Sequence, residues 1–266
     1  MQGEVDATDP RLEPYRHVGD AAWLQSRGLF VAEGRLVVER LIASARYSIH
    51  SIIVTPAAHA ALASSLDAVA TEVLVCSPAR LEQVTGFDFH RGCLALAHRP
   101  AVQDDGAWLA RGELVLVLDG IGNPDNVGGL FRTAAALGAD GVLVTGTTAD
   151  PLYRKSIRTS MAAVLQLPWL RAPSAADATS RLRVHDYQIA ALTPHADAMR
   201  LERFTRLRLR PVALVLGSEG HGLANETLDA ADHRVRIAQA SGVDSLNVTV
   251  AAGIALHALR TDPTEP

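Results

Sequence analysis

Three short polar stretches hold the residue types that could do chemistry. The first contains Asn126 and Arg132, an amide and a guanidinium. The second is Gly217-Ser218-Glu219, followed closely by Gly220 and Gly222, and the third is Ser245-Leu246-Asn247. Glycine lets a backbone approach a ligand closely and adopt positive φ, so a glycine cluster directly after a buried strand suggests a binding loop. A tight turn with no ligand needs one or two of those glycines, not three with a carboxylate among them. Asn247 taken alone reads as a helix N-cap, and each stretch taken singly is weak evidence.

The elements around these stretches would gather them. Leu114 to Val144 reads as strand, polar turn, helix, glycine turn and second strand, one βαβ unit. Val115, Val117 and their neighbours form the continuous apolar run of a strand buried on both faces of a parallel sheet. Val127, Leu130, Phe131, Ala134 and Ala135 repeat with helical spacing and form one stripe facing that sheet. Asn126 occupies the expected N-cap and Gly138 the expected stop. Arg132 lies off the stripe and leans back toward the helix start, with its Cα roughly 9 Å along the axis from that of Asn126. Val212–Leu216 is a second buried strand ending at the glycine cluster, and Val235–Ala238 a third, short one. The stripe Val248, Ala251, Ala252, Ala255 and Leu259 then predicts a helix that Asn247 opens. All three stretches thus fall at the carboxyl edge of one parallel sheet, where open α/β sheets bind ligands.

Residues 1–27 read as a loose lead-in with a short helix near Ala21–Ser26. Residues 28–100 read as a small α/β domain. Its strands are expected at Leu29–Val31, Ser51–Thr55, Glu72–Cys76 and Cys93–Ala97, and its helices at Leu36–Ser44, Pro56–Leu66 and Pro78–Val84. Near its end, His90, Arg91 and Arg99 read either as exposed polar residues around a turn or as RNA contacts. Residues 101–112, with Pro100 just before them, paired Asp and two Gly, form the linker, and 113–266 the second domain. There, Arg154, Lys155 and Arg158 read equally as a solvated helix face or an RNA-phosphate patch. Gln188–Leu192 is a further strand. The five arginines between Arg200 and Arg210 suit a half-exposed edge at least as well as a nucleic-acid stripe.

Composition excludes several classes. With 48% apolar residues the chain can bury ordinary cores, and its net charge of −4 argues against bulk electrostatic binding of nucleic acid, leaving room for a local basic patch. The acidic start lacks the apolar core of a signal peptide and no run is long enough to span a membrane, so the cytosol is expected. Cys76 and Cys93 are expected to be buried, reduced thiols, and no metal-ligand spacing exists. A dinucleotide-binding oxidoreductase would need G-x-G-x-x-G, but after Gly120 and Gly122 the third position is Asp125.

In combination and order, NPDNVGGLFRTA, VLGSEGHGL and DSLNVTVAAGIALHAL resemble the signature motifs of the SpoU/TrmH branch of the SPOUT superfamily. These are RNA ribose 2′-O-methyltransferases that use S-adenosylmethionine. The first domain resembles the ribosomal L30e-like substrate-binding domain that many members carry. The resemblance implies an α/β chain whose parallel-sheet domain ends in a C-terminal trefoil knot, an exception to the rule that folds are unknotted. It implies cofactor contacts from Leu216, Gly217, Ile237 and Leu246, and active-site roles for Asn126, Arg132, Glu219, Ser245 and Asn247. It also implies a homodimer packed through the knot domain, and RNA as the substrate, with 23S ribosomal RNA slightly ahead of transfer RNA. A guanidinium is a poor base near neutrality, so Arg132 is expected to clamp a phosphate or stabilise developing alkoxide charge. The competing reading is a non-catalytic L30e-like RNA-binding protein whose knot domain is a dimerisation scaffold. A scaffold has no packing need for Arg132, Glu219, Ser245 and Asn247 together. The chain departs from the family pattern at Ser160-Met161-Ala162-Ala163, where Ser-x-Gly-Ala is common.

Overall fold

The computed structural model describes residues 5–6, 8–86, 91–100, 106–207, 209–240 and 245–260. It divides into two compact units, residues 1–102 with 152–166, and residues 103–151 with 167–266. Among the described residues, no helix is long and apolar enough to cross a membrane.

The first unit holds strands β1 (Leu29–Glu33), β2 (Ile49–Val54), β3 (Glu72–Val75) and β4 (Cys93–His98), in the order β1-β4-β2-β3. β4 runs antiparallel to both its neighbours, while β2 and β3 are parallel. The Arg35–Ser44 and Pro78–Thr85 helices fall where their periodicity put them, but the expected Pro56–Leu66 helix is two pieces, Pro56–Ala61 and Ala63–Leu66. Cys76 and Cys93 are buried as expected and form no disulfide among the described residues, and burial pushes the Cys93 thiol up to about 12.

Two corrections concern this unit. The lead-in is not loose: it forms Pro10–Leu12, Glu13–Arg16 and Ala21–Ser26 helical turns. Its Leu12, Tyr15, Val18 and Leu24 enter the same core as Val31, Ile53 and Leu94. Their spacing spreads over several short turns, so no single periodic stripe announces them. Nor is 113–266 one unbroken domain, because residues 152–166 join the first unit. Leu152, Ile157, Val164 and Leu165 of that segment are buried. Arg40 donates to the Met161 carbonyl at 2.5 Å and Arg46 to the Gln166 carbonyl at 3.2 Å. Ala162, at the position where the family pattern has glycine, carries a left-handed φ of 67°.

Glu33, buried at the end of β1, receives the Arg154 Nε–H at 2.7 Å and has Arg91 Nε at 3.7 Å. Glu33→Ala removes the carboxylate that both guanidinium groups face. It is expected to cost about 1.5–3 kcal/mol, read as a lowered denaturant midpoint; an unchanged midpoint would deny the pair a structural role.

The second unit is a seven-stranded sheet in which every pairing is parallel. Its strands are β5 (Leu114–Asp119), β6 (Gly141–Val144), β7 (Trp169–Arg171), β8 (Gln188–Leu192), β9 (Met199–Arg200), β10 (Val212–Gly217) and β11 (His233–Arg236). The order is β7-β6-β5-β10-β8-β11-β9, so β5 and β10 lie side by side near the centre. Their alternate residues Val115, Val117, Ala213 and Val215 share one core with Ala178 and Leu182. Leu114, Leu116 and Leu118 are buried as well, the two-sided burial that the continuous apolar run predicts. β11 begins two residues earlier than expected, because pairing with β8 and β9 covers only His233–Arg236. Of the arginine-rich stretch only Arg200 lies in an edge strand, β9; Arg203 is on the Leu201–Thr205 helix that follows, Arg206 and Arg210 lie in no strand, and Arg208 is outside the described residues. Ala135 is exposed and drops out of the expected stripe.

Two helices stand over the site. Pro124–Ala136 follows β5, and Val248–Leu259 ends the described chain. They pack closely because one face is small: a Cβ on Gly129 would lie 3.0 Å from the Thr249 side chain.

Candidate active site

The site is built at the carboxyl end of β5 and β10. The chain leaving β5 is held from below by the loop after β6. Thr145 Oγ1 donates to Asp119 Oδ1 at 2.7 Å, and Thr148 Oγ1 donates to the Leu118 carbonyl at 2.7 Å while accepting from the Ile121 N–H at 3.3 Å. Arg171 fixes that loop in turn, its Nη1 donating to the carbonyls of Thr145, Gly146 and Thr148 at 3.0–3.2 Å.

The helix that follows starts earlier than its apolar stripe suggests. Asn123, not Asn126, is the N-cap, its side chain accepting from the Asp125 N–H at 2.9 Å. Pro124 explains the difference, since proline at the first helical position has a suitable φ and lacks an N–H that would need a partner. Asn126 is therefore inside the first turn, 8% exposed, with its amide free to face the site.

Asn247 is the junction. It caps the Val248–Leu259 helix, its Oδ1 accepting from the N–H groups of Thr249 at 3.0 Å and Val250 at 3.4 Å. Its Nδ2 meanwhile donates to Asn126 Oδ1 at 3.3 Å and to Glu219 Oε1. The N-cap reading and the site reading are thus both true, because the two ends of one amide serve different partners. One side chain joins all three polar stretches.

Beside this junction lies a cavity of about 350 Å³ lined by Leu216, Gly217, Glu219, Ile237, Ser245 and Leu246, among others. All four residues expected to hold a cofactor therefore line one cavity, with Ile237 just past β11 rather than within it. Gly217 is required by geometry: a Cβ there would lie 2.4 Å from the Gly222 carbonyl carbon, so the loop folds back on its own main chain. Arg132 is exposed on the Pro124–Ala136 helix, has no hydrogen-bond or ion-pair partner among the described residues, and is not part of the cavity lining.

Sequence reasoning missed Thr193, Pro194 and His195, which line the same cavity after β8, as well as His221 and Gln239. The signal was a polar Thr-Pro-His turn after the Gln188–Leu192 strand, but only the strand order reveals that β8 adjoins β10. The expected RNA contacts lie in the first unit. Arg91 and Arg154 face Glu33, so their charge is partly engaged, while Lys155 and Arg158 are exposed on the Arg154–Thr159 helix. His90 lies outside the described residues.

Fold and site together define a parallel α/β domain with a small-molecule cavity and an amide–carboxylate cluster at the carboxyl edge of its sheet. Residues 113–257 match the model of the SpoU rRNA Methylase family. An uncharacterized tRNA/rRNA methyltransferase of Mycobacterium tuberculosis is 34% identical over 97% of this chain and 91% of its own length. A 23S rRNA (guanosine-2′-O-)-methyltransferase of Nitrosomonas europaea is 31% identical over 73% of this chain and 75% of its own. The crystal structure of an AdoMet-bound rRNA methyltransferase from Sinorhizobium meliloti superimposes with a TM-score of 0.81 at 26% identity, covering 97% of each chain. The chain belongs to the SpoU methylase family.

Proposed function

We propose that this protein transfers a methyl group from S-adenosylmethionine to a ribose 2′-hydroxyl of structured RNA, ribosomal RNA before transfer RNA. The observation that carries the reading is the Asn126–Asn247–Glu219 hydrogen-bonded cluster beside the cavity lined by Leu216, Gly217, Ile237 and Leu246. The cavity suits the cofactor: its volume of about 350 Å³ falls within the range of small-molecule sites, and the folded-back Gly217–Gly222 main chain offers backbone groups to a ligand. Two relatives support it, one named a guanosine-2′-O-methyltransferase of 23S rRNA and one described with AdoMet bound.

When bound, the cofactor supplies a methyl group on an electrophilic sulfonium. The protein must then orient the ribose hydroxyl in line with that methyl and ease departure of its proton. Asn247 and Asn126 orient the Glu219 side of the pocket, Ser245 lines its mouth, and Arg132 clamps a substrate phosphate or stabilises the developing alkoxide. Arg91, Lys155 and Arg158 of the first unit, an L30e-like substrate-binding domain in this reading, contribute RNA contacts, with His90 as a further candidate. The family's C-terminal trefoil knot belongs to the same reading, supported by the way Asn247 ties the start of the last helix to the loops after β5 and β10. The expected compartment is the cytosol.

A homodimer packed through the second unit is part of the reading. Val250 and Ile254, one turn apart on the last helix, are 50% and 40% exposed, an apolar face that the described residues leave open. Val250→Asp is expected to convert the dimer to monomer in analytical ultracentrifugation; a variant that sediments like the parent would move the interface elsewhere.

The experiment that tests the activity is methyl transfer from labelled S-adenosylmethionine to total RNA of a strain lacking the gene, followed by size fractionation and alkaline hydrolysis. Label in alkali-resistant dinucleotides of one RNA size class is expected, since a blocked 2′-hydroxyl prevents cleavage. Absence of both label and cofactor binding would leave the scaffold reading in its place.

A further inference from the structure

The methyl-transfer reading leaves the arginine-rich stretch unused, yet its first arginine ends an edge strand beside another arginine. β9 and β11 pair in register, Val235 with Met199 and Arg236 with Arg200. The two arginines are therefore neighbours on one face of the sheet, on strands about 4.8 Å apart. Both are the last residues of their strands and so stand at the carboxyl edge. Ile237, next after Arg236, lines the cavity proposed for the cofactor.

Like charges side by side on a sheet face repel, and no carboxylate forms an ion pair with either arginine among the described residues. Arg236 donates through Nε to the Ala198 carbonyl at 3.1 Å. That neutral acceptor fixes the guanidinium without cancelling its charge, and leaves Nη1 and Nη2 with no partner among the described residues. Arg200 is exposed, and its side chain has no partner among them either. The surrounding carboxylates do not reverse this balance. Asp229 is paired with Arg234 and Asp232 with Arg183. Asp197, Glu202 and Glu226 then stand against Arg200, Arg203, Arg206 and Arg236, none of them in an ion pair among the described residues, so the local charge stays positive. The Leu201–Thr205 helix begins just after Arg200 and turns its amino end, not its carboxyl end, toward the pair. Two adjacent guanidinium groups, one held in place, suit the oxygens of a phosphate, and an anion between them removes their repulsion.

We propose that Arg200 and Arg236 bind a backbone phosphate of the RNA substrate at the rim of the site. The inference rests on the reading above for RNA as the ligand. In the strand order the pair lies on the β11–β9 side of the cavity, whereas Arg132 is on the helix that follows β5, roughly 14–19 Å away across the sheet. RNA gripped at both positions crosses the carboxyl edge between them.

Arg200→Gln removes an exposed side chain without a partner among the described residues, and Arg200 does not line the cavity. The fold and the S-adenosylmethionine affinity of this variant are therefore expected to match the parent. Filter retention of RNA is expected to weaken by roughly 3- to 10-fold near 0.1 M salt, with a salt slope smaller by about one. The control is Arg181→Gln, the same change of charge at an exposed position on the Ala175–Arg183 helix, which leads into the start of β8 at the opposite edge. It is expected to retain RNA as the parent does. Parental retention by Arg200→Gln would overturn the site and keep RNA as the substrate. Equal weakening by both variants would also overturn it, leaving only the overall charge of the chain. A parent that retains no RNA would remove the site and the RNA reading together. Retention needs no methyl transfer: a parent that transfers no methyl, but whose retention falls only with Arg200→Gln, would sink the activity and keep the site.

Discussion

Arg132→Ala is expected to lower methyl transfer by on the order of 10²- to 10³-fold while S-adenosylmethionine binding, followed by calorimetry, stays at the parent value. The side chain is exposed, has no partner among the described residues, and does not line the cavity proposed for the cofactor. Removing it therefore costs the fold little, within about 0.5 kcal/mol, and any loss of turnover reports on the bound RNA. Arg132→Lys is expected not to rescue, since an ammonium is a point charge and does not reproduce the planar fork that grips a phosphate or a developing alkoxide. Methyl transfer by Arg132→Ala at the parent rate would remove the arginine from the mechanism. Rescue by lysine would reduce its role to long-range charge.

The second large effect is expected at Gly217. A methyl group there would lie 2.4 Å from the Gly222 carbonyl carbon and 2.6 Å from the Leu223 nitrogen. Both are main-chain atoms that cannot rotate away, so the loop must open. Overpacking of this kind costs about 1–3 kcal/mol, which in a loop that lines the cavity lowers cofactor affinity by roughly 10- to 100-fold. Gly220 is the control in the same loop: nothing lies within 4 Å of a Cβ there, so Gly220→Ala is expected to bind the cofactor as the parent does. Equal binding by the two variants would show that the close approach at Gly217 is not what shapes the cavity.

The contrast between those glycines shows what the amino-acid sequence discloses and what it withholds. A cluster of glycines after a buried strand announced a ligand loop, and the cavity lies there. Which glycine the loop cannot do without depended on the fold-back of residues 217–222, a contact between main-chain atoms that no residue type encodes. Asn123 and Asn126 teach a related point. Both are good caps, and the apolar stripe favoured Asn126; the decisive signal was Pro124, which starts the helix earlier and releases Asn126 to face Asn247. At the amino terminus, Leu12, Tyr15, Val18 and Leu24 were visible as apolar residues, but short turns gave them no common period, so their shared core could not be read.

By itself the sequence determined the elements that local pattern dictates. These are the buried strands that begin at Leu114 and Val212, the helix that stops short of Gly138, the last helix opened by Asn247, and the family to which three ordered motifs belong. Apolar periodicity and turn chemistry act over a few residues, and those are printed in the chain. Only the tertiary structure decided that β10 lies between β5 and β8, that Thr193–His195 thereby join the cavity, and that residues 152–166 complete the first unit. It alone brought Asn126, Glu219 and Asn247 onto one amide. The physical reason is that strand order and long-range hydrogen bonds follow from which apolar faces and backbone groups satisfy each other across more than a hundred residues, and no local pattern carries that information.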